Sequence, residues 1–129
     1  MNTYKAPLND MKFVMFDLMQ AEQTFHNLGF ENADREMLDA VLEEAAKFSE
    51  QVLAPLNSSG DRQGCRFDKD SGKVSTPDGF KQAYQQYVEA GWSGLTASEA
   101  LGGQDMPESL ACVFKEMIDG ANLSWGNYP

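Results

Sequence analysis

The chain has 129 residues, of which 42% are apolar, 11% aromatic and 23% charged, the balance of one globular domain rather than of a disordered segment. Twenty acidic against ten basic residues leave a net charge of -10, which repels a nucleic-acid backbone and excludes that partner class. No apolar run reaches the roughly 20 residues that span a bilayer, and polar interruptions break the N-terminal stretch where a signal peptide needs continuity, so a cytoplasmic, membrane-free protein is expected.

In chain order, residues 11–19 space Phe13, Phe16 and Leu18 as one short helix, with Asn9 or Asp10 able to cap it. Residues 21–30 predict a second short helical piece that ends at Gly29. The strongest signal starts at Asp34. Leu38, Val41, Leu42, Ala45, Phe48, Val52, Leu53 and Leu56 recur at three- and four-residue steps, while Glu36, Asp39, Glu43, Lys47 and Glu50 take the opposite face. Glu43 and Lys47 stand four apart as an ion pair. Twenty residues of helix make a rod of about 30 Å, and Pro55 is expected to end or bend it at Ala54.

Residues 57–79 are rich in turn formers and read as one long loop, with Arg66-Phe67 and Lys73-Val74-Ser75 paired as a small hairpin around Asp68 to Gly72. Thr76 to Gly79 opens a further helix with Phe80, Ala83, Tyr84, Tyr87 and Val88 on one side, stopped by Gly91. Trp92 through Gly103 reads as loop. Leu110, Val113, Phe114, Met117, Ile118 and Ala121 then give the cleanest helical stripe, interrupted by Gly120. The fold class is therefore all-α: one domain over 1–129, an irregular bundle of five to six helices with one decorated loop.

Candidate sites are few. Gly102-Gly103 before the last helix lacks both phosphate-binding glycine spacings, and Asp105 with Glu108 is placed to form a capping box on the same amides, so a turn and cap are expected. Gly91-Trp92-Ser93-Gly94 fails the nucleophile-elbow spacing at Leu95, and His26 is the only histidine. Asp68 and Asp70 begin like a calcium loop, but Gly72 and Gly79 occupy the fifth and twelfth positions, which leaves a tight turn and no metal site. Cys65 and Cys112 have no metal-ligand spacing and read as free thiols, with Cys112 buried. Glu43 and Glu44 read as a solvated face. The methionines, Met11, Met15, Met19 and Met117 among them, suit core filling or an adaptable apolar pocket. No catalytic constellation emerges.

The order of elements nevertheless carries a resemblance. A long amphipathic helix running into VLAPLN, then GDRQGCRF, then Ala90-Gly91-Trp92, Leu101-Gly102-Gly103-Gln104, the following helix and ANLSWGNYP resembles the N-terminal helical domain of the acyl-CoA dehydrogenases. The opening YKAPLNDMKFVMFDL is similar to the large, methylmercaptopropionyl-CoA dehydrogenase-like subgroup. The resemblance implies a three-domain flavoenzyme in which a glutamate removes the α-proton of an acyl-CoA, FAD accepts the β-hydride, and an electron-transfer flavoprotein takes the electrons. It also implies that this chain is a fragment of that enzyme, inactive and without FAD by itself, forming one wall of the acyl-chain cavity and tending to homo-oligomerise. The wall residues carried over are Phe114, Met117, Ile118 and Ala121, with Trp125 next. Two alternatives stay open here: a stand-alone helical interaction module, and a relative with altered chemistry such as an acyl-CoA oxidase.

Overall fold

A computed structural model describes residues 4–129. The described residues form an all-α domain with one small hairpin: α1 Leu8–Lys12, α2 Ala21–Asn27, α3 Arg35–Phe48, α4 Ala54–Gln63, β1 Arg66–Phe67, β2 Val74–Ser75, α5 Phe80–Glu89 and α6 Glu108–Gly126, joined by two π-type turns and by two short 3₁₀ turns, Trp92–Gly94 and Glu99–Leu101, in the stretch expected to be loop. No helix among the described residues is long and apolar enough to cross a membrane.

The first helix is not the one expected. It begins at Leu8 and lacks a side-chain cap, so Asn9 and Asp10 lie inside it. A wider, π-type turn over Phe13–Leu18 follows, which buries Met15 and Phe16. Gln20, in the left-handed region at φ 49°, redirects the chain into α2. Gly29 at φ 91° ends that piece as its sequence predicts.

Asp34 caps α3 by accepting from the Met37 amide at 2.8 Å. The apolar stripe buries Leu38, Leu42, Ala45 and Phe48. The opposite flank is not simply solvated, because the N-terminal segment lies along it. Lys12 reaches Asp39 and Glu43, each at 3.1 Å. Glu50 pairs with Lys5 and also accepts the Ala6 amide at 3.0 Å. Lys47 therefore pairs with Glu44, one turn back, and the anticipated Glu43–Lys47 pair gives way to a tertiary one. Arg35 closes the same junction with its guanidinium 3.7 Å from the Phe16 ring centroid.

Pro55 does not end the rod. A second π-type turn, Ser49–Leu53, precedes it, Ala54 keeps helical angles of -58° and -40°, and α4 continues to Gln63. Wide turns re-space the carbonyls before a residue that has no amide hydrogen, so the proline sits at the start of a new helix. The loop that follows is accordingly shorter than expected. Its hairpin pairs Arg66 with Ser75 and Phe67 with Val74, in the anticipated place. Asp68 closes the turn by accepting the amides of Asp70 and Ser71 at 2.9 and 2.8 Å.

On α5 only Phe80 and Ala83 are fully buried; Tyr87 is half-buried, and Tyr84 and Val88 stay exposed. The core lies where α6 crosses α3, the second π-type turn and α4, around Leu38, Leu42, Leu53, Leu110, Met117 and Trp125. Each such side chain contributes about 1.5 to 3 kcal/mol by leaving water.

Candidate functional site

The glycine-rich stretch before α6 binds itself. The amides of Gly102 and Gly103 reach Glu99 and Ser98, and those of Gln104, Asp105 and Met106 reach Gly94, Ala97 and Leu95, all between 2.9 and 3.0 Å. The Gln104 side chain adds a bond to the Gly91 carbonyl at 2.9 Å. Five consecutive amides are thus used inside the loop, which leaves none of them for an anion. The expected capping box does not form. Asp105 takes φ 51°, Pro107 occupies the cap position, and no side chain bonds the first amides of α6.

From this anchor α6 runs inward. Gly120 does not interrupt it; the Tyr4 ring lies against that glycine. The break comes at Asn122, whose angles are -160° and 85°. Asn122 is fully buried. Its amide donates to the Leu53 carbonyl at 3.3 Å, and its side-chain oxygen accepts the Trp125 amide at 3.1 Å. The final turn of α6 therefore restarts on an internal cap that is bonded to the second π-type turn. Trp125 follows, donating its indole N–H to the Phe80 carbonyl at 3.1 Å.

The five residues singled out on α6 divide between two settings. Phe114 and Ile118 line a cavity of about 220 Å³ whose other walls include Trp92, Leu95 and Ala111 and the polar Ser93, Thr96 and Lys115. Trp92 meets Phe114 at a tilt with ring centroids 4.4 Å apart, and Tyr87 stacks on Phe114 at 6.2 Å. Met117, Ala121 and Trp125 are shut within the core behind that cavity, with no exposed surface. Trp125 there meets Phe48 and Tyr87 at 5.8 and 5.7 Å. Sequence periodicity missed Trp92, Leu95 and Ala111 as lining residues, since the first two come from the loop and the third sits at the edge of the stripe. Asn122 was also missed, although a polar residue next to Gly120-Ala121 in an apolar segment is a visible anomaly.

Burial, and then the neighbouring Tyr84, push the Tyr87 hydroxyl above the usual tyrosine range. Tyr128 is raised by its 3.6 Å contact with the Cys65 thiol. His26 is exposed near the end of α2. Both cysteines are free and exposed, which corrects the expectation for Cys112: it falls one position outside the inward stripe of α6. Among the described residues no group of three or more His, Cys, Asp or Glu could hold a metal ion. The hollow has apolar walls from Trp92, Leu95, Ala111, Phe114 and Ile118, with Ser93, Thr96 and Lys115 also on its lining. Lys115 is the charged side chain on this lining among the described residues, and it pairs with Asp119.

No protein-family model matches the chain. Curated relatives do. It is 33% identical to the 3-methylmercaptopropionyl-CoA dehydrogenase of Ruegeria pomeroyi, over 98% of the chain and 21% of that protein. It is 30% identical to FadE5, a broad-specificity linear acyl-CoA dehydrogenase of Mycobacterium tuberculosis, over 95% of the chain and 20% of that protein. A butyryl-CoA dehydrogenase of Syntrophomonas wolfei is 35% identical over 67% of the chain. The chain spans about a fifth of the length of the first two relatives.

Proposed function

We propose, from the premise that this chain belongs to the acyl-CoA dehydrogenase family, that it is the helical domain of a larger FAD-dependent enzyme and forms one wall of its acyl-chain cavity. The reaction is α,β-dehydrogenation of an acyl-CoA thioester, with electrons passing on to an electron-transfer flavoprotein and the enzyme assembled as a homo-oligomer. FAD, when bound, supplies the hydride acceptor. The glycine-loop amides are used internally and are not assigned to it, and neither a proton-removing base nor flavin contacts are assigned to the described residues. Their part is to exclude water from the chain and to fix its position.

The observation that carries this reading is the hollow on α6, where the apolar Phe114 and Ile118 meet Trp92 and Ala111, with Lys115 also on its lining. Phe114 and Ile118 are the proposed substrate contacts, and Met117, Ala121 and Trp125 back them from the core. The test is a substitution series in the enzyme expressed from its complete reading frame. Ile118→Ala enlarges the hollow and is expected to raise the ratio of kcat/KM for a longer over a shorter acyl-CoA by about tenfold, the discrimination typical of added methylenes. Ala111→Leu is expected to move the ratio the other way. Variants that lower the melting temperature while leaving the ratio unchanged would overturn the assignment.

A further inference from the structure

The methionines of the first two helical segments have a use that the acyl wall does not absorb. Met11, Met15 and Met19, with Phe25 of α2, Leu28 just after it and Val113 of α6, line a groove of about 550 Å³. Its floor is shut, since Met11 and Met15 are buried, but its lip is open: Met19 and Leu28 are 62% and 69% exposed. Leu18, beside Met19, is exposed to 69% as well. Such a cluster of large open side chains marks an interaction surface.

Charge decides what fits it. Asp10 and Glu116 line the groove, and no lysine, arginine or histidine does. Lys12, on the same helix as Asp10, is engaged by Asp39 and Glu43. Unbranched methionines re-pack around varied apolar anchors, and a helix presents such anchors at i, i+3, i+4 and i+7. Ion pairs from Lys12 to Asp39 and Glu43 tie α1, on one side of the groove, to α3. We infer that this groove is a docking site for a cationic amphipathic helix of a partner protein, its apolar anchors on the methionines and its basic flank against Asp10 and Glu116.

The test uses a labelled synthetic peptide of about four helical turns, leucine at the anchor spacing and lysine elsewhere. It is titrated by fluorescence anisotropy into the protein expressed from its complete reading frame. Saturable binding is expected at a Kd on the order of micromolar, weakening several-fold as salt rises. The double change Met19→Ser, Leu28→Ser alters only exposed side chains and is expected to weaken binding about tenfold, or roughly 1.4 kcal/mol. Asp10→Asn with Glu116→Gln is expected to weaken it several-fold, while Val88→Ser on α5 leaves it unchanged. No saturable binding, equal binding of a peptide with glutamate in place of lysine, or indifference to the groove changes would each overturn the inference. A homodimer that dissociates on the Met19, Leu28 double change would overturn it too, by naming a second copy as the occupant.

Discussion

A methyl group at Gly103 would stand 2.0 Å from the Ala97 carbonyl oxygen, a backbone atom that cannot swing aside. That contact belongs to the self-bonded loop that launches α6, so relief of the clash breaks the bonds from Gly103 to Met106 as well. Gly103→Ala is expected to destabilise the protein by about 2 to 4 kcal/mol, the range for overpacking joined to lost backbone bonds. Urea unfolding monitored by circular dichroism measures it, and a loss below about 0.5 kcal/mol, the level of an ordinary surface change, would refute the contact. The sequence made the turn legible through its paired glycines. It could not reveal which neighbour forbids a side chain, because Ala97 is brought there only by the closing of the loop. Cys112 teaches the same lesson in reverse: its residue type favours burial, but its register on α6 places it outside.

At the scale of elements, periodicity located α3, α5 and α6 because burial of one face repeats every three to four residues. It could not locate the breaks. Pro55 and Gly120 are the residues that local propensity blames, yet the irregular backbone lies at Ser49–Leu53 and at Asn122. These two irregularities share one hydrogen bond, from the Asn122 amide to the Leu53 carbonyl. Removing the side-chain amide deletes the bond to the Leu53 carbonyl and leaves the Trp125 amide without its cap. Asn122→Ala is therefore expected to cost about 2 to 4 kcal/mol. Asn122→Asp, which retains the acceptor for Trp125 and loses the donor to Leu53, is expected to restore part of the cap but not the stability at neutral pH. A thermal melt of both variants checks this, and equal stability of wild type and Asn122→Ala would show the two breaks to be independent.

For the whole molecule, the acidic excess is partly built into the fold. The Lys5 ammonium holds the Glu50 carboxyl below the usual glutamate range, and the Ala6 amide adds to this. Burial works against the charged form of Asp39, but the bonds from Lys12 and Arg35 outweigh it and lower its pKa as well. A carboxylate depressed in the folded state stabilises the fold above its unfolded pKa, near 4, and that stabilisation is lost as pH falls through the folded value. For Lys12 burial also opposes the charge, yet Glu43 and Asp39 raise its pKa, so its contribution holds through neutral pH and fades only above about pH 10. The melting temperature is thus expected to be flat near neutrality and to fall below about pH 4, with Glu50→Gln lower on the plateau and flatter on the acid limb. Superimposable profiles would show that Glu50 does not help hold the N-terminal segment at Lys5 and Ala6.

From the residues by themselves came the helical class, the hairpin, the stripe of α6 and the family resemblance, since spacing, turn formers and charge are local properties. The clasp of α1 on α3, the paired breaks, and the division of the α6 stripe into a lined cavity and a closed core were decided only by tertiary packing. The reason is physical: a buried carbonyl, a covered carboxylate or an open methionine is defined by what lies opposite it, and that neighbour comes from a distant part of the chain.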